Sequence, residues 1–218
     1  MNSLNMYKKS SIEFSMPAFF VSSLSAEEIK SEILRKLIHF LIALVPVLAS
    51  FNRPFTMGLL IAGTLFYTFV ENLRMAGVRV PVISKITVRG SRSRDRGHFV
   101  LGPVTLGIGA LLALLFYPSP IASIAIYALA FGDGFASLVG RIFGNIRPAF
   151  LMGKSLEGSI ACFTAVYIST FLVLHNSQVA FIAALTAASV EALPLEDYDN
   201  IVLPVAVGFV VQVCMTLL

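Results

Sequence analysis

The stretch Phe131-Gly-Asp-Gly-Phe-Ala-Ser-Leu-Val-Gly-Arg-Ile-Phe-Gly144 places an ionisable side chain, Asp133, in an apolar run long enough to be a membrane helix. A carboxylate at membrane depth costs at least about 2.5–3.5 kcal/mol unless it faces a partner or a water-filled cavity. Two basic residues, Arg141 and Lys154, follow downstream. The pattern favours a functional carboxylate in metal–phosphate chemistry. A packing aspartate bonded to a neighbouring helix is the alternative.

The rest of the chain has the composition of a membrane protein. Hydrophobic residues make up 57% of its 218 residues and charged residues 13%, whereas a soluble domain has about 25% charged residues. We therefore predict an all-α, polytopic membrane helix bundle of about seven transmembrane helices, each near the length that crosses a bilayer. The predicted spans are Leu34–Phe51, Pro54–Val70, Val100–Tyr117, Ile121–Val139, Ser159–Leu174, Val179–Leu193 and Ile201–Leu218.

The N-terminal segment precedes these spans. Residues 1–24 are predicted to be a flexible or interfacial tail, and residues 25–218 a single transmembrane catalytic domain. Met16–Val21 is too short to be the apolar region of a signal peptide. Ser25-Ala-Glu-Glu28 has the capping-box pattern that starts a helix. Cys162 and Cys214 fall at different depths of their spans, so no disulfide is expected.

Basic residues are concentrated on one side of the predicted bundle. Of the 16 Lys and Arg residues, all but Arg53 lie in the N-terminal part of the chain up to the first turn of the first span, or in the connections after the second and fourth spans. The positive-inside rule then places the N-terminus and these connections in the cytoplasm, at the plasma membrane of a prokaryote or the endoplasmic reticulum. Most acidic residues fall on the same face, so we expect an active site that faces the cytoplasm. The connection Lys85–Arg96 is favoured as an anchor for anionic headgroups.

One face of the predicted fourth span carries small and polar residues. At 100° per residue these side chains fall within an arc of roughly 140°. They are Asp133, Ala136, Ser137, Gly140, Arg141 and Gly144. Small residues permit close approach by another helix or by a phosphate chain, and both alternatives stay open. Mg²⁺ takes one or two carboxylates together with substrate phosphates, so Asp133 is its first candidate ligand.

Two more groups lie where predicted spans start. Lys154-Ser-Leu-Glu-Gly158 opens the fifth helix, where backbone N–H groups favour anions. Glu157 either caps this helix or helps to hold a second metal ion. Arg35, Lys36 and His39 share one face of the first span. Snorkelling to the interface is the alternative for the first two, whereas His39 lies one turn deeper and favours a polar partner or a substrate contact.

Acidic residues mark two further span ends. The connection Glu191-Ala-Leu-Pro-Leu-Glu-Asp-Tyr-Asp-Asn200 carries four acids in ten residues. It is either a solvated acidic loop or a source of metal ligands and of a base for an alcohol. Glu71 and Arg74 end the second span with a spacing at which they can pair with each other.

Taken in order, these pieces resemble the CTP-dependent lipid-alcohol kinases, the family of dolichol kinase, phytol kinase and the CTP-using diacylglycerol kinase. The resemblance extends from about residue 32 to residue 205. Its pieces are Arg35-Lys36-x-x-His39, Glu71, Gly102-Pro103, Gly132-Asp133-Gly134, Ala136, Gly140-Arg141, Phe143-Gly144, Lys154-Ser155, Gly158, Glu191-x-x-Pro194, Asp199-Asn200 and Pro204. The family usually has two acids before the asparagine, whereas this chain has Tyr198-Asp199-Asn200 with Asp197 one position earlier.

The resemblance implies transfer of the γ-phosphate of CTP to a long-chain isoprenoid or lipid alcohol, with Mg²⁺ as the cofactor. The implied metal ligands are Asp133, Glu191, Asp199 and Asn200. The implied catalytic residues are Asp133, Lys154, Asp199 and His39, with the base left open between the last two. The implied nucleotide-binding residues are Arg35, Lys36, Gly132, Gly134, Gly140, Arg141, Gly144, Lys154, Ser155 and Gly158.

Two other functions are considered. Phosphatidate cytidylyltransferase shares part of this pattern and also uses CTP, but its C-terminal signature is not found here. A non-enzymatic transporter or scaffold would use the polar face of the fourth span for packing only. The expected partners are the bilayer, CTP and a lipid alcohol, with no nucleic acid, and the oligomeric state stays open.

Overall fold

The computed structural model describes residues 26–78, 87, 89–90, 95 and 97–217, apart from the side chains of residues 26–28 and 150. The predicted tail 1–24 and the capping residue Ser25 lie outside the described residues, as does most of the basic connection Lys85–Arg96. All regular secondary structure in the described ranges is helical. The prediction of an all-α fold is confirmed.

The helices follow one another with short connections. They are Ala26–Phe40, the 3₁₀ turn Leu41–Leu44, Val45–Phe51, Arg53–Met75, Gly102–Phe116, Ile121–Tyr127, the π-helical turn Ala128–Asp133, Gly134–Ile142, the 3₁₀ turn Ala149–Leu151, Leu156–Leu174, Ser177–Glu191 and Asp199–Leu217. Five continuous helices are long and apolar enough to cross a membrane, and two shorter apolar helices accompany them in the described residues. We number the spans in chain order as Ile29–Phe51, Arg53–Met75, Gly102–Phe116, Ile121–Ile142, Leu156–Leu174, Ser177–Glu191 and Asp199–Leu217.

Span boundaries differ from the predicted ones for local reasons. The third span begins at Gly102 instead of Val100, because Pro103 lacks an N–H and suits the first turn of a helix. The fifth span begins at Leu156, earlier than predicted, because Ser155 caps it. The third and sixth spans have 15 residues each, which is about 22 Å of helix.

The fourth span is the centre of the bundle. In the most apolar 18-residue stretch of this span, 67% of the residues are buried, compared with 22% in the first span and 17% in the second. The fifth span packs against the fourth and the sixth, the seventh packs against the sixth and the third, and the third packs against the second. The first span contacts the fourth along Gly134–Ile142. A polar side chain in the fourth span is therefore surrounded by protein.

The outer spans present apolar side chains to their surroundings. On the second span Phe55, Leu65, Phe66 and Phe69 are all more than half exposed. Soluble monomers rarely expose contiguous apolar patches of this kind. This surface faces lipid, and the chain is a multi-pass membrane protein.

Contacts between span ends show that the polar groups gather at one end of the bundle. Arg141 at the end of the fourth span contacts Glu32 near the start of the first. Asn200 at the start of the seventh span contacts Gly102 at the start of the third. Arg53 lies at the opposite end, where it donates hydrogen bonds to the last turn of the third span. We call the end at which the first span begins the charged end.

Candidate active site

Asp133 lies inside the fourth span, at the last residue of the π-helical turn Ala128–Asp133. Such turns inside α-helices occur frequently at functional sites. The carboxylate is buried. Lys36 Nζ donates a hydrogen bond to its Oδ2, and the Ser137 hydroxyl donates to Oδ1 at 3.3 Å. Because an unpaired buried charge is costly, these partners explain how the membrane core holds a carboxylate.

His39 completes the surroundings of Asp133. Its Nε2 lies 2.8 Å from the backbone oxygen of Leu129 and 3.3 Å from Oδ2 of Asp133. A carbonyl oxygen can only accept a hydrogen bond, so Nε2 carries the ring hydrogen. The structure therefore brings Lys36 and His39 of the first span to one carboxylate of the fourth, which the sequence did not indicate.

Glu32 is a member of this cluster that the sequence analysis missed. Only 4% of the residue is exposed, and its carboxylate pairs with Arg35 on one side and with Nε of Arg141, 3.4 Å away, on the other. Its spacing from Arg35 and Lys36, three and four residues, was a signal that could have found it. Glu32 holds two of the predicted nucleotide-binding arginines next to each other.

Lys154 and Glu191 form a second ion pair at the charged end, in which Glu191 is buried and Lys154 is partly exposed. Lys154 Nζ donates to Oε1 of Glu191 at 2.7 Å, joining the start of the fifth span to the end of the sixth. Oε2 of Glu191 is buried and has no hydrogen-bond partner. Buried carboxylate oxygens usually have such a partner, so this oxygen has unused acceptor capacity.

Asp199 and Asn200 are buried at the start of the seventh span. The Asn200 amide donates to the Thr105 hydroxyl at 3.0 Å and to the Gly102 backbone oxygen at 3.5 Å. These bonds fix the seventh span against the third. Thr105 was not predicted, because no local pattern indicates which spans are neighbours.

The predicted nucleotide-binding glycines all lie at tight contacts. A Cβ built on any of them would come within 3 Å of another atom. They are Gly132, Gly134, Gly140, Gly144 and Gly158. Ser155 is engaged in capping, since its hydroxyl accepts a hydrogen bond from Gly158 N. Packing accounts for these residues, and their contact with a nucleotide stays a prediction.

Other predicted groups lie away from Asp133. The predicted pairing of Glu71 with Arg74 is confirmed, with bonds of 2.6 and 2.8 Å. Glu157 does not act as the N-cap of the fifth span, because Ser155 does. Its carboxylate instead accepts hydrogen bonds from the backbone N–H groups of Asn145 and Ile146 and holds the preceding loop.

A cavity of about 270 Å³ lies beside the cluster, between the first, second, third and seventh spans and the connection that joins the second to the third. Its lining combines polar and apolar groups. They include Arg35, Ile38, His39, Phe66, Tyr67, Leu106, Asp197 and Asn200. Nε of Arg35 is buried and has no hydrogen-bond partner. The cavity therefore shares Arg35 and His39 with the cluster around Asp133.

The predicted metal ligands come from three different spans of the charged end. Asp133 belongs to the fourth span, Glu191 to the sixth, and Asp199 and Asn200 to the seventh. Among the described residues no group of three or more His, Cys, Asp or Glu side chains lies close enough together to hold a metal ion by itself. Metal binding by these residues stays a prediction.

Buried ion pairs at one end of an apolar bundle define a polytopic membrane protein with a positively charged polar site. No family model matches the chain, and no solved structure matches it. Among curated proteins it is 28% identical to phytol kinase 1 of Arabidopsis thaliana, over 86% of this chain and 68% of that protein. Farnesol kinase of the same plant is 30% identical, over 78% of this chain and 61% of that protein.

A fungal relative extends this set. Dolichol kinase sec59 of Schizosaccharomyces pombe is 28% identical, over 78% of this chain and 37% of that protein. The chain thus spans about two thirds or less of the length of these three relatives. Together with the membrane bundle, they confirm the resemblance seen in the sequence. The chain is therefore similar to kinases that are named for phytol, farnesol and dolichol.

Proposed function

We propose that the chain is a kinase that transfers the γ-phosphate of CTP to a long-chain isoprenoid alcohol at the charged end of the bundle, and that this end faces the cytoplasm. The acceptor class is supported by the relatives, which are named for phytol, farnesol and dolichol. CTP is supported by the family pattern that runs from Arg35 to Pro204. The cytoplasmic orientation is supported by the distribution of Lys and Arg.

The observation that carries this proposal is the buried cluster around Asp133. Its carboxylate is bonded to Lys36, and two arginines are held beside it by Glu32. Phosphoryl transfer needs positioning and charge neutralisation more than covalent chemistry. A cluster in which cations outnumber carboxylates suits a bound triphosphate.

The same end of the bundle suits Mg²⁺. This ion takes one or two carboxylates and completes its coordination with phosphates and water. Asp133 would be its first ligand, and the unpartnered Oε2 of Glu191 offers a second, with Asp199 and Asn200 as alternatives on the seventh span. When bound, Mg²⁺ would neutralise charge on the nucleotide phosphates.

The chain's own residues would neutralise charge and accept a proton during the transfer. The alcohol oxygen attacks the γ-phosphorus, the bond from that phosphorus to the bridging oxygen breaks, and CDP leaves with the electron pair. Lys154 and Arg141 would neutralise the triphosphate. Lys36 would donate its hydrogen bond to a phosphate oxygen instead of to Asp133. His39 or Asp199 would accept the proton of the alcohol.

One assay tests the reaction. Purified protein is incubated in detergent with farnesol and CTP labelled with ³²P at the γ-position. The proposal expects label in the lipid phase, together with CDP. A phosphatidate cytidylyltransferase would instead release the label as pyrophosphate when given phosphatidate. Absence of labelled lipid with every isoprenoid alcohol supplied, including phytol and a polyprenol, overturns the proposal.

A second measurement tests the non-enzymatic alternative. A kinase of this type should unfold at a higher temperature when CTP and Mg²⁺ are added, because a ligand that binds only the folded state stabilises it. A scaffold has no reason to respond. Comparing CTP with ATP and GTP in the same experiment tests the choice of nucleotide.

A further inference from the structure

The cavity between the first, second, third and seventh spans is not used by the steps described above. It lies next to the catalytic cluster, because Arg35 and His39 belong to both. Its volume of about 270 Å³ is just below that of pockets that enclose a whole drug-sized ligand, which are about 300–1,000 Å³. It can therefore enclose one end of a long lipid, but not its full length.

The lining of the cavity matches such an end. Phe66 and Ile38 line it and are also exposed on the outer surface of the bundle, with Phe66 58% accessible. Leu106 adds a buried apolar wall from the third span. The apolar part of the cavity is thus continuous with the surface that faces lipid. A chain in the bilayer can enter it without crossing water.

The polar part of the lining offers groups for a hydroxyl. Nε2 of His39 already donates its hydrogen to Leu129, so the second ring nitrogen, Nδ1, is the acceptor in the neutral ring. An alcohol needs an acceptor for its O–H. Arg35 contributes a buried Nε–H that has no partner, which can donate to the alcohol oxygen. His39 also lies 3.3 Å from Asp133, so the hydroxyl would be held next to the catalytic cluster.

We propose that this cavity is the acceptor site, in which the hydroxyl end of an isoprenoid alcohol lies at His39 and Arg35 while its first isoprene units lie along Leu106 and Phe66. The rest of the chain extends into the bilayer past Phe66. The inference rests on the proposed kinase function and adds to it where the acceptor binds and which residues select it. It also assigns the proton-accepting role to His39.

Photolabelling tests the location without requiring turnover. A farnesol analogue with a diazirine on its first isoprene unit is bound to the purified protein in detergent, irradiated, and mapped by mass spectrometry. Label is expected on peptides containing Phe66 or Leu106, and excess farnesol should remove it. Label confined to the fifth and sixth spans, or label that farnesol does not compete away, overturns the assignment.

Substitutions of residues that line the cavity test whether the cavity selects the acceptor alcohol. Leu106→Trp fills the cavity and should raise the KM for farnesol about tenfold, a change typical of altered volume in an apolar pocket, while the KM for CTP stays the same. Phe66→Ala removes the outer wall and should raise the KM for farnesol as well. Phe209→Ala is the matched control, because Phe209 is 61% exposed on the seventh span and does not line the cavity.

The outcomes separate the two proposals. If the wild-type protein labels no lipid with γ-labelled CTP, the kinase function fails whatever the photolabelling shows. If the wild type is active but Phe66→Ala and Phe209→Ala have equal KM values for farnesol, the acceptor site is wrong and the kinase function stands. Should Leu106→Trp fail to fold, Leu106→Ala replaces it and should shift preference toward bulkier alcohols.

Discussion

Asp133 and Lys36 are buried together, with 5% and 1% of their side chains exposed. A buried ion pair is not in itself strongly stabilising, but removing one partner leaves an uncompensated charge and costs about 3–5 kcal/mol. The pair therefore has a structural effect that must be separated from its catalytic one. Substituting both members makes that separation possible.

For this pair we predict that a second substitution restores the stability of the protein but not its activity. Asp133→Asn should lower the unfolding temperature in detergent, because Lys36 loses its partner, and should abolish transfer of phosphate to farnesol. The double variant Asp133→Asn, Lys36→Met should recover most of the stability, since neither charge remains. It should stay inactive.

The measurements are thermal unfolding and the γ-labelled CTP assay on all variants, including Lys36→Met alone. An Asp133→Asn enzyme that retains wild-type activity would remove this carboxylate from the mechanism. A double variant that is both stable and active would show that the Lys36–Asp133 pair has only a structural role.

Glu32 allows a second prediction, because the chain contains a matched residue. Glu32 and Glu71 are both buried, and each pairs with an arginine three residues later. Glu32→Gln and Glu71→Gln should each destabilise the protein by about 1–3 kcal/mol, the usual cost of leaving a buried partner unsatisfied.

Only Glu32→Gln should change nucleotide binding, because only Glu32 also contacts Arg141. The readout is the CTP concentration needed to raise the unfolding temperature halfway to its maximum. Equal values for the two variants would show that the Glu32 cluster acts on stability alone.

At the scale of elements, small residues decide how closely the spans approach. A Cβ on Gly109 would overlap the backbone oxygen of Asn200, whereas a Cβ on Gly63 would meet nothing within 4 Å. We predict that Gly109→Ala destabilises the bundle by about 1–3 kcal/mol, as overpacking does, and lowers activity by displacing Asp199 and Asn200.

The control is Gly63→Ala on the exposed face of the second span. It should be neutral or slightly stabilising, because alanine favours a helix over glycine by about 0.8–1.0 kcal/mol. Thermal unfolding of both variants in one detergent checks the pair. Equal unfolding temperatures would contradict the close contact between the third and seventh spans.

The fourth span shows how much of the fold and the site was predictable. Its length, its apolar character and the placement of Asp133 follow from composition and periodicity. Composition and periodicity do not show whether its small residues bind phosphate or pack against a helix, because glycine permits both. The structure uses Gly140 for contact with the fifth span. The π-helical turn and the Lys36–Asp133 pair depend on which spans are neighbours, and no local pattern carries that information.

At the scale of the whole molecule, the charged groups of the described residues lie at the two ends of the bundle. In the described residues Arg53 lies at one end, bonded to backbone oxygens of Leu114 and Tyr117, and the buried ion pairs lie at the other. The positive-inside rule predicts that the charged end lies on the cytoplasmic side of the membrane. That rule makes an orientation prediction that can be tested in cells.

Single cysteines report the orientation. In a background with Cys162→Ala and Cys214→Ala, a cysteine replaces either Gln178, exposed in the first turn of the sixth span, or Asn145, exposed after the fourth. We expect a membrane-impermeant maleimide to label Gln178→Cys in intact cells and Asn145→Cys only after the membrane is opened. The reverse pattern would place Asp133 and its partners near the outer face, where cytoplasmic CTP does not reach them. The proposed kinase would then have no nucleotide to use, even if every contact around Asp133 were as described.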